Sequence, residues 1–433
     1  MKKTIMILLS MFVLAGCNQF GENTNISLSS NKNPSVDSSK KETSMNIEEE
    51  IAEWEKKGYI CENNLVYSNE YDDRNEYLVV GYYGKPKNIV IPEYFNGLPV
   101  TLIKFAFAGC DSLETIFISK NIKSISEGSF YDCVSLKEIV IDDNNPSFFM
   151  DNGLLYQRSS DEQLALIVSL STVKGKVTLL DETVYISHYA FSSYPKIDEL
   201  YLGKNINYIS GYATFNGLDN LNYIEIEEDN NEYTTIDGVL FTKDLSTLVF
   251  ISPTRHISYE IPEPVTAIGA SFEKCTKLKN LTINKNLSST NLLYCRTYEN
   301  IYVNEDNANF ASVDGILYSK DLKEVLLVPP MKVNPVLLDS VEAIATYAFL
   351  ENINEKIILP ESIITIGDLA CFGYKGKEIT IGKNLKKIGT YAFDGAVNLE
   401  TVNYKGSQKE FSQIEILEGN DLFLNANIVY NYK

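Results

Sequence analysis

Histidine is almost absent from this sequence: His188 and His256 are the only two in 433 residues. Neither sits in a nucleophile motif such as G-x-S-x-G, so Ser–His hydrolysis has no visible basis. There is no C-x-x-C and no paired histidine, which argues against a structural zinc site. Basic residues are scarce, with 38 Lys and Arg against 58 Asp and Glu and a formal charge of −20. Nucleic acid and anionic headgroups need a positive surface and are disfavoured as partners. The apolar run Ile5–Leu14 is too short to span a bilayer. Among so many carboxylates some pair must lie close, so proximity alone does not identify a glycosidase acid and base. The chain reads as non-catalytic, with no cofactor called for.

What is present is repetition. Phe130-Tyr-Asp-Cys133-Val-Ser-Leu136-Lys-Glu-Ile139-Val-Ile141 sets a spacing of aromatic, then Leu six residues on, then a short Ile-x-Ile strand. The same spacing runs through Phe107…Leu113…Ile116, Phe191…Ile197…Leu200, Phe215…Leu221…Ile224, Phe272…Leu278…Leu281 and Phe393…Leu399…Val402. A fixed period of this length signifies a solenoid, in which each coil contacts only its neighbours. With 44% apolar residues the chain can fill a continuous core. The expected fold is a mostly β repeat solenoid with short turns and helical connections. Its curved parallel sheet would have about thirteen strands, ending at Ile91, Ile118, Ile141, Leu179, Leu202, Ile226, Ile261, Ile283, Val303, Leu338, Leu359, Ile381 and Tyr404.

Three longer steps carry related inserts: Asp151-Asn-Gly153-Leu-Leu-Tyr156, Asp237-Gly238-Val-Leu-Phe241 and Asp314-Gly315-Ile-Leu-Tyr318. Each is followed by a polar bend and a second apolar run, so three inserted β-hairpins are expected. Phe107, Phe130, Phe191, Phe215, Phe272, Phe349, Phe372 and Phe393 should stack as an internal spine, given their fixed phase with the Leu positions.

The N-terminus reads as an address. A basic start, Met1-Lys-Lys3, and a short apolar core end in Leu14-Ala-Gly-Cys17, which resembles a bacterial lipobox. On this reading residues 1–16 are a lipoprotein signal peptide and Cys17 is the lipid anchor, the chain's one attachment to a membrane. Residues 17–45, rich in Ser, Asn and Lys, form a flexible tether. Residues 46–100 make an N-terminal cap and first coil, 101–404 the solenoid, and 405–433 a C-terminal cap. Asn46 with Glu49 suggests a capping box, and Ile47, Ile51 and Trp54 share one face of a short helix that would cover the open end.

These residues resemble the BspA-type leucine-rich repeats of bacterial surface proteins. The likeness rests on Ile89-Val-Ile-Pro92…Asn96-Gly-Leu-Pro-Val100, on Ile388-Gly-Thr-Tyr-Ala-Phe393, on the Asp-Gly-Ile-Leu-Tyr hairpins and on the tail from Asn403 to Tyr430. It covers the chain from about Tyr77 onward. The pattern lapses at Tyr294, where the following Leu is missing, and around Phe372, where the run to Ile379 is polar. The resemblance implies display at the cell surface and adhesion to proteins or other cells, and it carries no catalytic residues.

Cys110, Cys133 and Cys275 each fall three residues after a spine aromatic, a repeated interior place that suits a small hydrophobe. They and Cys61, Cys295 and Cys371 are expected as free thiols. The acidic turns at Asp142–Asn145, Glu227–Asn231 and Asn304–Asn307 lack the alternating D-x-D-x-D-G spacing, which favours turns over calcium loops. Strand residues between the buried positions should face outward, and several are large: Phe117, Val140, Tyr201, Tyr223, Tyr302 and Ile358. They form the candidate binding face, with an unknown protein or glycan, such as host matrix or another cell, as its ligand. The alternatives are a structural envelope component without a ligand and, more weakly, a substrate-binding lipoprotein.

Overall fold

The computed structural model describes residues 46–69, 75–269, 272, 274–288 and 295–433. Cys17, the expected signal peptide and tether, and Tyr294 therefore lie outside the described residues. Contacts group the chain into two units. The first runs to Val173 and includes Ile186–Pro195; the second comprises Lys174–Tyr185 and Lys196–Lys433.

In the first unit the strands Asn88–Val90, Thr115–Ile118 and Glu138–Ile141 pair in parallel, with Ile89, Ile116 and Ile139 in one buried row. In the second unit the same ladder recurs in separate pieces. They are Lys174–Thr178, Lys196–Leu202 and Tyr223–Ile226; then Ser258–Glu260, Asn280–Ile283 and Asn300–Val303; then Lys356–Ile358, Glu378–Ile381, Thr401–Tyr404 and Asn427–Val429. Ile and Val dominate because β-branched side chains fit a pleated, half-buried surface. The parallel solenoid is therefore real, but its main ladder is broken at each hairpin.

Twelve of the thirteen expected strands are present. The thirteenth, at Leu338, is not a strand. Pro335 in that coil has no N–H to give a ladder. The chain is tied across by Asn354 instead: its Oδ1 accepts from Asn334 N at 2.8 Å and its Nδ2 donates to Lys332 O at 2.6 Å.

A second ladder lies on another side of the coils and was not expected. Its rungs are only two residues long: Ala343–Ile344, Thr365–Ile366, Lys387–Ile388 and Glu415–Ile416 pair in parallel, and Ser124–Ile125 pairs with Leu98–Ile103. Ile125, Ile344, Ile366 and Ile388 are buried, each five residues before the spine position of its coil, while Ile416 is half-buried. Every hairpin ends in a third strand that joins this ladder, as Thr247–Ile251 does with Ala267–Ile268 and Glu324–Leu327 does with Ala343–Ile344.

There are four such hairpins among the described residues. Besides the three expected, Ile60–Glu62 and Leu65–Ser68 form one at the N-terminus, followed by Tyr77–Tyr82. All four turns put two successive residues at positive φ, as a two-residue type I′ turn requires. The pairs are Asn63-Asn64, Asn152-Gly153, Asp237-Gly238 and Asp314-Gly315. All four also shift register at one equivalent place: Val66/Tyr67, Leu155/Tyr156, Leu240/Phe241 and Leu317/Tyr318. A bulge repeated at one place is a built feature that re-aims the strand. Here it turns the chain toward the second ladder.

The hairpin glycine is fixed by space as well as by φ. A Cβ on Gly315, at φ +71, would lie 2.5 Å from Asn300 Oδ1. Gly315→Ala is expected to cost at least about 1–2 kcal/mol from the left-handed backbone alone. A urea midpoint equal to the wild type would contradict this.

The spine forms as expected at seven positions, all of Phe107, Phe130, Phe191, Phe215, Phe272, Phe349 and Phe393 being buried. Phe107 and Phe130 stack at 5.8 Å and 10°. Phe372 is a correction. It is half-buried, and the spine place belongs to Cys371, which is 1% exposed and preceded by a buried Ala as Phe349 and Phe393 are. The volume lost is returned three residues later, where fully buried Tyr374 stands and donates to Glu378 O at 2.9 Å and Glu355 O at 3.2 Å. Gly376 has no Cβ because that ring occupies the space.

The thiol column extends further than the spacing suggested. Cys295 stands three residues before buried Tyr298, as Cys275 does before Leu278, so Tyr298 fills the missing Leu place. Burial pushes the Cys133 and Cys275 thiols up and takes Cys371 to about 12, which keeps them protonated and inert. All six described cysteines are free.

At the N-terminus the helix Ile47–Lys56 has Asn46 N–H donating to Glu49 Oε2 at 3.2 Å. Trp54 rests on Gly81, where a Cβ would meet its ring at 3.0 Å, and Glu50 accepts from Gly84 N at 2.7 Å. At the other end Phe423 stacks on Phe393 at 4.6 Å, so the short helix Asp421–Asn425 continues the spine by one ring.

Candidate recognition face

The outward residues of the main ladder occupy alternate positions, as the pleat dictates. The structure brings some of the six candidates together and separates the rest. Phe117 and Val140 are register partners, and Val90, which sequence reasoning missed, completes their row. Val90 is 66% exposed and Val140 43%. Val90 sits in Asn88-Ile-Val90, with the same alternation as its neighbours, and could have been found by extending the pattern one strand back.

Tyr201 and Tyr223 form a second group. Tyr201 lies opposite Glu225 and Tyr223 opposite Glu199, which leaves the two rings diagonal at 6.2 Å. Their outer faces are largely engaged. Tyr201 donates to Glu199 Oε2 at 2.9 Å, and this bond pushes its hydroxyl pKa up. Lys176 Nζ lies 4.1 Å from the Tyr201 ring centre. The Arg255 guanidinium covers Tyr223 at 5.1 Å. Tyr302, opposite Thr282, and Ile358, opposite Thr380, lie on two further sheets, with 47% and 56% exposure. The candidates are thus one apolar row, one tyrosine pair and two separate exposed side chains.

Ion pairs line the strand entries. Glu114 accepts Lys87 at 3.0 Å and Lys137 at 2.9 Å, and both hold its carboxyl below the usual range. Lys279–Glu299 and Lys356–Glu378 repeat the arrangement. Such exposed pairs contribute little stability but give the face a mixed rather than purely acidic rim.

The hairpin tips are braced to the sheet. Arg255 Nε donates to Asp237 O at 2.9 Å and Oδ1 at 3.1 Å, which lowers the Asp237 pKa. His256 Nδ1 approaches Asp237 Oδ2 at 3.9 Å, and burial, the larger influence, lowers the imidazole pKa. Lys332 plays the part of Arg255 at Asp314, at 3.2 Å.

The acidic turns are held by asparagine. Asn145 Nδ2 donates to Ser119 O and Ile122 O in the preceding coil, while its Oδ1 accepts from Ser147 N and Phe148 N. Asn230 and Asn307 repeat this pattern before their hairpins, and Asn284 between them. The turn reading thus has a mechanism, with the carboxylates left on the outside.

Compared with known families, residues 85–160, 249–312 and 334–420, more than half of the chain, match the description "BspA type Leucine rich repeat region", in six copies. No curated protein matches the chain. Similar solved structures include a leucine rich cell surface protein from Faecalibacterium prausnitzii, at 18% identity and TM-score 0.37, covering 82% of this chain and 97% of that one. Another is the pneumococcal vaccine antigen PcpA, at 19% identity and TM-score 0.35, covering 87% and 97%. A third is a leucine-rich repeat protein from Bacteroides ovatus, at 16% identity and TM-score 0.28, covering 83% and 99%.

Proposed function

This chain belongs to the BspA-type leucine-rich-repeat family, and from that membership we propose that it is a non-catalytic recognition module at a bacterial cell surface, anchored through acylated Cys17. Its ligand is a protein or glycan bound on the outer face of the main ladder. The observation that carries this reading is the exposure of large apolar side chains, Val90, Val140, Tyr302 and Ile358, each beside a buried isoleucine, Ile89, Ile139, Ile301 or Ile357, that faces the core. A regular sheet offers them on a rigid support, and depletion of charge around large side chains marks the centres of interfaces. Two or three acyl chains hold a protein to a membrane where one does not.

The structural reading, an envelope component with no ligand, draws on a different observation. Tyr201 and Tyr223 are covered by Lys176, Arg255 and Glu199 of the chain itself, so those rings already have partners.

A binding screen of the full-length chain in detergent, against matrix proteins and surface glycans, separates the two. Saturable binding to at least one ligand is expected by surface plasmon resonance. If the chain is folded by circular dichroism and binds nothing, the recognition reading fails.

A further inference from the structure

We infer that the groove between the strand Glu138–Ile141 and the hairpin strand Phe148–Asp151 binds a short extended peptide segment carrying a lysine or arginine. The inference rests on the recognition reading and names a site and a partner chemistry for it.

The first observation is the edge itself. Glu138 N donates to Glu114 O, Asp142 N donates to Ile118 O, and Val140 is the register partner of Phe117. In a parallel strand alternate residues point their backbone groups to opposite sides. The N–H and C=O groups of Ile139 and Ile141 are therefore directed away from the sheet, toward the hairpin.

The second observation comes from the other two hairpins, which close the same edge. Ile226 N donates to Thr235 Oγ1 at 3.3 Å. In the last hairpin Val303 N donates to Ser312 Oγ at 2.9 Å and Ile301 N to Gly315 O at 2.9 Å. In the first hairpin the residue at the Thr235 and Ser312 place is Met150, whose thioether is a poor acceptor. Gly153 O, the counterpart of Gly315 O, accepts from Leu170 N at 2.9 Å instead. Where two hairpins spend a hydroxyl, this one leaves a groove of about 440 Å³ lined by Ile139, Val140, Ile141, Phe149 and Met150, with Asp142 and Asp143 at one end. That volume lies within the range of ligand pockets.

The lining selects the occupant. The backbone groups of Ile139 and Ile141, two residues apart, match the repeat of an extended polypeptide, which adds to a strand edge. Val140, Phe149 and Met150 offer apolar walls, and methionine adapts to differing side chains. Asp142 Oδ1 already accepts from Asn144 N at 2.9 Å and Nδ2 at 3.2 Å, so Asp143 is the carboxylate that favours a cationic residue there, and Lys120 nearby is paired with Glu93 at 2.8 Å.

The test is fluorescence anisotropy of the full-length chain in detergent with the labelled, end-blocked peptide Lys-Val-Lys-Val-Lys. Saturable binding is expected. Met150→Thr, which supplies the hydroxyl the other hairpins use, should weaken it by about tenfold, as a filled groove and satisfied edge imply. Asp143→Asn should also weaken it, and N-methylation of alternate peptide amides should abolish it. Equal melting curves for both variants and wild type would establish that folding is unaffected. Absence of binding overturns the assignment. So does binding indifferent to Met150→Thr and to N-methylation, since that is general attraction of a cation to an acidic protein. Displacement of the peptide by a glycan but not by Lys-Val peptides also overturns it. A ligand from the screen that binds Met150→Thr as it binds wild type removes the groove while leaving the recognition reading intact.

Discussion

Phe191→Ala should lower the unfolding free energy by about 3–5 kcal/mol, the range for truncating a buried aromatic. Phe191 has no exposure, and the coil around it is fastened to its neighbours by backbone bonds such as Ser169 N to Ala190 O at 2.7 Å. Coils held in this way cannot collapse into the space left behind, so the cavity term is added to the lost burial. Phe372→Ala is the internal comparison. Its ring is half-buried and one step off the spine, so the loss should be a fraction of that at Phe191. Urea melts followed by circular dichroism measure both. An unchanged midpoint for Phe191→Ala would sink the spine, and equal losses at the two sites would restore Phe372 to it.

Asn307→Ala should cost on the order of 3 kcal/mol or more, although it removes only a small polar side chain. Asn307 is completely buried, and its amide closes four bonds: to Asn284 O at 2.8 Å, to Leu287 O at 3.0 Å, and from the amides of Asn309 at 2.8 Å and Phe310 at 2.9 Å. Each buried backbone group left without a partner costs about 1–3 kcal/mol, so several orphaned at once outweigh the side chain's own transfer energy. Asp306→Ala, one residue earlier on the exposed side of the turn, should be nearly silent. If thermal melts give the two variants similar midpoints, the turn is held by something other than the asparagine.

Much of this fold is legible in the sequence, and the reasons it stops being legible are physical. The spine and the main strands announce themselves because each buried side chain is large and recurs in a fixed phase. The second ladder does not, since a rung such as Thr365–Ile366 has one buried residue and too little length for a two-residue period to register. The exchange of Cys371 and Tyr374 is invisible to pattern matching: Phe372 stands next to the spine place, and only packing reveals that the smaller neighbour fills it. The N-terminal hairpin was missed because Asn63-Asn64 replaces Asp-Gly, although asparagine is the other residue that tolerates left-handed backbone. Val336, Leu337 and Leu338 have the composition of a strand, but their coil is tied across by the Asn354 side chain, which the repeat spacing does not reveal.

For the candidate face, alternation picks out Val140, Tyr302 and Ile358, which are exposed, and Phe117, Tyr201 and Tyr223, which are half-buried. It could not predict how far their surfaces are taken up by the chain. Arg255 is 32 residues beyond Tyr223, and its place over that ring depends on the hairpin between them. The groove beside Ile139 and Ile141 likewise appears only when the three inserted hairpins are compared position by position, because it follows from a methionine in place of a hydroxyl and from the bond of Gly153 O to Leu170 N.

The measurement that bears most directly on the recognition reading compares ligand binding by the wild-type chain with that of a variant carrying Val90→Ser, Val140→Ser, Tyr302→Ser and Ile358→Ser. These side chains lie on the outer face, so the variant should keep its circular dichroism spectrum and lose most of its affinity for whichever ligand the screen returns. Full affinity in a folded quadruple variant would contradict a recognition face built on these exposed side chains.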